Sequence, residues 1–149
     1  MIVPRGGAAG RRRAKGAALI SRDDLENFID RMAAEGVQAK EVEPGLWLLT
    51  PGEAGPEVVV HYNPPVVVLR VRVMPLPAAA TRSDFYRRLL ELNASDLVHG
   101  SYGVDGEEVV LSDALELENL NFNEFQASFD SITMALASHL PTFAPFRTA

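Results

Sequence analysis

The chain has 149 residues, 47% of them hydrophobic and 23% charged, which supports one hydrophobic core and is too short for two comfortable domains. Without cysteine it can form neither a disulfide nor a thiolate metal site, and it has no apolar run long enough to span a bilayer. The net charge of −6 hides a division: Arg5, Arg11, Arg12, Arg13 and Lys15 give the first 21 residues +5, and nine basic against twenty acidic side chains leave the remainder at −11.

An acidic body repels phosphate backbones, so nucleic-acid binding would depend on the basic segment alone. Residues 1–20 are rich in Gly and Ala, lack apolar periodicity, and are expected to be a disordered tail. They also lack the apolar stretch of a secretory signal, which points to a cytoplasmic protein. A single domain is expected over 21–142, followed by a short C-terminal tail at 143–149.

The first helix is predicted over 22–35. Ser21 and Asp24 form a capping-box pattern, Leu25, Phe28, Ile29 and Met32 follow at helical spacing, and Gly36 supplies a stop. Three strands come next. Leu46 to Leu49 lies between two Pro-Gly turns, Glu57 to Tyr62 is rich in valine, and Val66 to Met74 follows the breaker Asn63-Pro64-Pro65. The last strand is apolar on both faces at its start and amphipathic at its end.

Thr81, with Asp84 three residues on, is predicted to cap a second helix. Its stripe is Phe85, Leu89 and Leu92, with Tyr86 and Leu90 beside it. A hairpin follows: Val98 to Val104, the turn Asp105-Gly106, then Glu108 to Leu117, with Asp113 interrupting an otherwise apolar face. Gly100 and Gly103 suggest a bulge or a close approach by another element. Asn121 and Glu124 open the last helix, Phe122, Phe125, Phe129, Ile132, Leu136 and Leu140 run down one side, and Pro141 is expected to stop it. Phe143 and Phe146 are expected to fold back onto the body. The predicted order is α-β-β-β-α-β-β-α, an α+β fold with an antiparallel sheet packed by helices.

No catalytic signature is present. His61, His99 and His139 have no metal-ligand spacing, although a dispersed trio could converge in space as a metal-assisted site. There is no nucleophile elbow, no thiol, no phosphate loop, no Ca²⁺ loop and no cofactor motif. What remains is apolar surface: three helices must cover about five strands.

Leu89-Leu90-Glu91-Leu92-Asn93, then Val98-His99-Gly100-Ser101-Tyr102-Gly103-Val104-Asp105, then Glu108-Val109-Val110-Leu111 resemble the second half of the type III secretion chaperone-like proteins. They are similar also to the related YbjN family of bacterial sensory-transduction regulators. The likeness covers residues 22–140 and includes the order of elements. It implies a cytoplasmic homodimer that binds an extended or disordered segment of a partner protein without catalysis. By position in the pattern it implies a dimer interface at Tyr86, Leu90, Tyr102 and Val110, and a partner-binding surface at Phe28, Trp47, Val66 and Val68. The basic tail is outside the pattern and leaves open a nucleic-acid-associated regulator acting through Arg11-Arg12-Arg13.

Overall fold

The computed structural model describes residues 18–147. Three helices, α1 (Arg22–Ala34), α2 (Arg82–Ser95) and α3 (Phe122–Arg147), accompany six strands. The strands are β1 (Gln38–Glu43), β2 (Leu46–Thr50), β3 (Val58–Asn63), β4 (Val66–Pro75), β5 (Ser101–Asp105) and β6 (Glu108–Glu116). They form one antiparallel sheet in the order β1-β2-β3-β4-β6-β5. The α+β class and the antiparallel sheet agree with the sequence reading, and one strand is added to the predicted order.

That strand is β1. All six of its side chains are exposed, so it carries no alternation that a sequence pattern could register. Backbone pairing with β2 forms it, and Glu41 anchors it by accepting from the Arg22 guanidinium and from the Gly45 N–H.

The register of the other strands explains the core. Leu49, Val58, Val71, Leu111 and Tyr102 are consecutive cross-strand partners, and so are Trp47, Val60, Leu69 and Asp113. Apart from Asp113 these side chains are buried, and they lie on the face that the helices cover. Asp113 is the one acid in its row, and it accepts a 2.7 Å hydrogen bond from the Ser128 hydroxyl, a fully buried group on α3. A polar residue on a core face is thereby satisfied by another from the facing helix.

Both predicted capping boxes form. Ser21 Oγ accepts from Asp24 N–H at 3.0 Å while Asp24 accepts from Ser21 N–H, and Asn121 and Glu124 do the same for α3. Thr81 does not cap α2. A 3₁₀ turn (Ala79–Thr81) precedes the helix and leaves Thr81 with φ −108° and ψ −1°, and its hydroxyl donates back to the Ala78 carbonyl.

The last helix does not stop at Pro141 but runs through it and through Pro145 to Arg147. An interior proline costs about 3 kcal/mol. Aromatic packing offsets this, since burying each large apolar side chain contributes ~1.5–3 kcal/mol. Phe143 is fully buried, edge-on to Tyr102 at 5.3 Å and 6.1 Å from Phe85, and Phe146 stands 5.0 Å from Phe85. The final turn thus locks α3 onto α2. At the other end, Leu19 bridges Glu118 and Ile20 N–H donates to the Leu117 carbonyl, so ordered pairing begins before Ser21.

Candidate functional site

Because the helices cover one sheet face, the other is left open among the described residues. Its rows follow from the same register. Leu46, His61, Val68 and Ala114 are consecutive partners, and so are Leu48, Val59, Arg70 and Ser112, with Val66 beside Glu116. Leu46, Leu48, Val59, Val66 and Val68 are half-buried, whereas the apolar partners of the core rows are buried. They form an apolar strip at the β2–β3–β4 side of the sheet. Charged residues bound it: Lys40 on β1, and Arg70 and Arg72 paired with Asp105 and Glu108 at 2.8 and 3.5 Å.

A second apolar surface lies at the β5 edge. Tyr86, Leu89, Leu90, Asn93, Tyr102 and Val104 line a groove of about 330 Å³ between α2 and β5. Leu90 is 67% exposed and Val104 47%. Gly103 borders the groove, and a Cβ built there would meet no atom within 4 Å, so the missing side chain leaves open space. Gly100 is the close approach that the sequence suggested for both glycines: a Cβ would stand 2.8 Å from the Ser112 carbonyl, and φ is +82°.

The floor of this groove is held by polar contacts. Asn93 Nδ2 donates to the Tyr102 carbonyl at 3.1 Å, and Tyr102 N–H donates to Asn93 Oδ1 at 2.7 Å. One side-chain amide therefore occupies both backbone groups that an added strand would use on this part of the β5 edge. The Tyr102 hydroxyl lies 2.7 Å from His139 Nδ1, and His139 Nε2 lies 3.2 Å from Asp96 Oδ2. Burial first, and the Asp96 charge second, push the Tyr102 phenol above its ordinary value. The chain Asp96–His139–Tyr102 joins α2, α3 and β5, and its imidazole is 4% exposed.

The predicted interface residues are divided by this geometry. Tyr86, Leu90 and Tyr102 meet in the groove, with Tyr102 as its buried floor, whereas Val110 lies across the sheet on the open face, paired with Arg72 and Gly103. Of the predicted partner-binding residues, Val66 and Val68 share the open face. Trp47 is 3% exposed beneath α1 with the Arg22 guanidinium 5.4 Å over its ring, and Phe28 packs between α1 and α3 at 6.0 Å from Phe122. Strand parity accounts for the correction at Trp47: it sits between Leu46 and Leu48, so it must point the opposite way from both. Because all four residues of Leu46-Trp47-Leu48-Leu49 are apolar, the sequence carried no signal of which pair faced out.

The three histidines do not converge. His61 is exposed on the open face, His99 lies 4.0 Å from Asp113 at the far end of β6, and His139 is in the Tyr102 chain. Among the described residues no three His, Asp or Glu side chains form a cluster able to hold a metal ion, and no helix is long and apolar enough to cross a membrane. Arg11, Arg12 and Arg13, and with them the nucleic-acid reading, lie outside the described residues.

No curated protein sequence matches this chain. Among solved structures it is similar to a chain of the heterodimeric ExoU–SpcU complex of the Pseudomonas aeruginosa type III secretion system. The TM-score is 0.59 at 16% identity, covering 73% of this chain and 91% of that one. It is similar also to YbjN from E. coli, with a TM-score of 0.61 at 13% identity, covering 83% and 93%. At such identities these likenesses establish the fold. The family CesT_Tir_1 matches residues 20–148, and the chain belongs to this family of type III chaperones.

Proposed function

We propose that the protein is a non-catalytic, homodimeric chaperone-like adaptor that acts in the cytoplasm and binds a segment of a partner protein. The observation that carries the reading is the open sheet face, where Leu46, Leu48, Val59, Val66 and Val68 form an apolar strip with none of the three described helices above it. An extended segment laid on such a face gains from burial of its alternate side chains, and the charged border favours one register over others. Family membership and the likeness to a chain of the ExoU–SpcU complex of a type III secretion system support the same reading.

The groove between α2 and β5 is assigned to self-association. It is apolar, it presents Leu90 at its rim, and the Asn93 amide keeps it from being used by strand addition. It also gathers Tyr86, Leu90 and Tyr102, three of the four residues that the family pattern implies for a dimer interface. Affinity purification from the source cell, with wild type and Val68→Asp compared, tests the partner face. Loss of at least one partner in the variant is expected, and equal recovery of every partner would overturn the assignment.

A further inference from the structure

The pairing of β5 with β6 stops before β6 does. β6 runs to Glu116, but its last partner on β5 is Ser101, opposite Ser112. Gly100 ends the ladder: its φ of +82° turns the chain away, and a Cβ there would stand 2.8 Å from the Ser112 carbonyl. Residues 113–116 of β6 are therefore a sheet edge, although β5 is the outermost strand.

Strand parity gives the direction of the backbone groups along this edge. Leu117 N–H donates to the Pro65 carbonyl, toward β4, so Leu115 and Asp113 face β4 as well. Ser112 faces β5, and Ala114 and Glu116 face the same way, past the end of that strand. Among the described residues nothing hydrogen-bonds to the N–H or C=O of Ala114 or Glu116 on that side.

These four groups border a cavity of about 520 Å³ between β6 and the first turns of α3. Leu115, Leu120 and Ala127 make part of its wall apolar, Glu116 and Glu124 carry negative charge into it, and no lysine or arginine lines it. His99 stands at the end where β5 would have continued.

We propose that this slot takes a short extended segment of a partner protein in which lysine or arginine alternates with an apolar residue. The segment continues the ladder on β6 in the place that β5 vacates, bonding to Ala114 and Glu116. Alternation puts its apolar side chains on the side of Leu115 and Leu120, and its basic ones on the side of Glu116. Charge complementarity selects this occupant, because the carboxylates repel an acidic segment and reward a basic one. The slot is separate from the α2–β5 groove, where the Asn93 amide closes the edge, and it does not depend on the assignment of the open face.

The test is a titration of the ¹⁵N-enriched full chain with a blocked heptapeptide of alternating lysine and valine, read from amide shifts. Saturable shifts centred on Ala114, Leu115, Glu116 and Ala127 are expected. The same peptide N-methylated at its valine amides keeps its charge but loses ladder bonds, and should bind about tenfold more weakly. Glu116→Lys, at an exposed side chain, should weaken the parent peptide by about the same factor while amides remote from the slot keep their positions. Absence of shifts at millimolar peptide, equal binding of the methylated peptide, or equal binding by Glu116→Lys would overturn the proposal. Shifts centred on Val59 and Val68, or on Leu90, would place the peptide on another surface and equally overturn it. Shifts of Ala114 and Glu116 on dilution without peptide would show a second copy in the slot, and would also overturn it.

Discussion

Asn93 shows how one residue can decide what an edge strand does. Its amide satisfies both the N–H and the C=O of Tyr102, at 2.7 and 3.1 Å, in the way that a neighbouring strand would. Removing the amide in Asn93→Ala leaves two backbone groups without that partner, and a loss of ~1–3 kcal/mol is expected in urea unfolding. Asn93→Asp keeps the acceptor and removes the donor, so it should fall between. The Leu92-Asn93 pair was visible in the sequence as part of a family pattern. Its physical reason was not, because the partner backbone lies across a helix–strand connection.

Tyr102 adds a pH dependence at the same scale. Its phenol is buried against His139, and its folded pKa is raised above the ordinary 10.0. Below that value both folded and unfolded chains hold the proton, and the full stabilisation is present. Above it the unfolded chain releases the proton before the folded one does, so stability should fall as the pH rises past 10. Urea unfolding of wild type and Tyr102→Phe between pH 8 and pH 11 (from about two units below the ordinary value to about one above it) checks this. The variant should be less stable at pH 8 and should lose less on going alkaline. An equal alkaline loss in both proteins would contradict the assignment.

Among the elements, those with amphipathic alternation were legible and those without it were not. α1 and the start of α3 announced themselves through capping boxes and apolar spacing, and β4 through alternation in its second half. β1 was invisible because pairing alone creates it, with no buried side chain to mark it. The end of α3 was misread because proline is a local signal, whereas the contacts that carry the helix past Pro141 come from Phe85 and Tyr102, far away in sequence. Phe143→Ala should accordingly cost ~3–5 kcal/mol in urea unfolding. Leu140→Ala, at a residue 44% exposed, should cost much less. Comparable losses would mean that the last turn is not anchored as described.

At the scale of the whole molecule, the fold class followed from the order of elements, and the apolar excess over what three helices can cover was readable as a quantity. Where that excess lies was not readable. Val66 and Val68 were correctly separated from Val67 and Leu69 by strand parity, yet Trp47 was placed on the wrong side, and Val110 was grouped with a groove on the other side of its sheet. The register resolves both points and divides the spare surface into two, an open sheet face and an edge groove, the first of which we propose for a partner segment and the second for self-association.

Static light scattering of wild type, Leu90→Asp and Val68→Asp tests that division most directly. The 16.2 kDa chain is expected as a dimer, twice that mass, in wild type and in Val68→Asp, because the proposed function does not use the open face for self-association. Leu90→Asp, which places a charge at the rim of the groove, is expected at 16.2 kDa. A monomeric wild type, or a dimer that survives Leu90→Asp and is lost in Val68→Asp, would contradict the account.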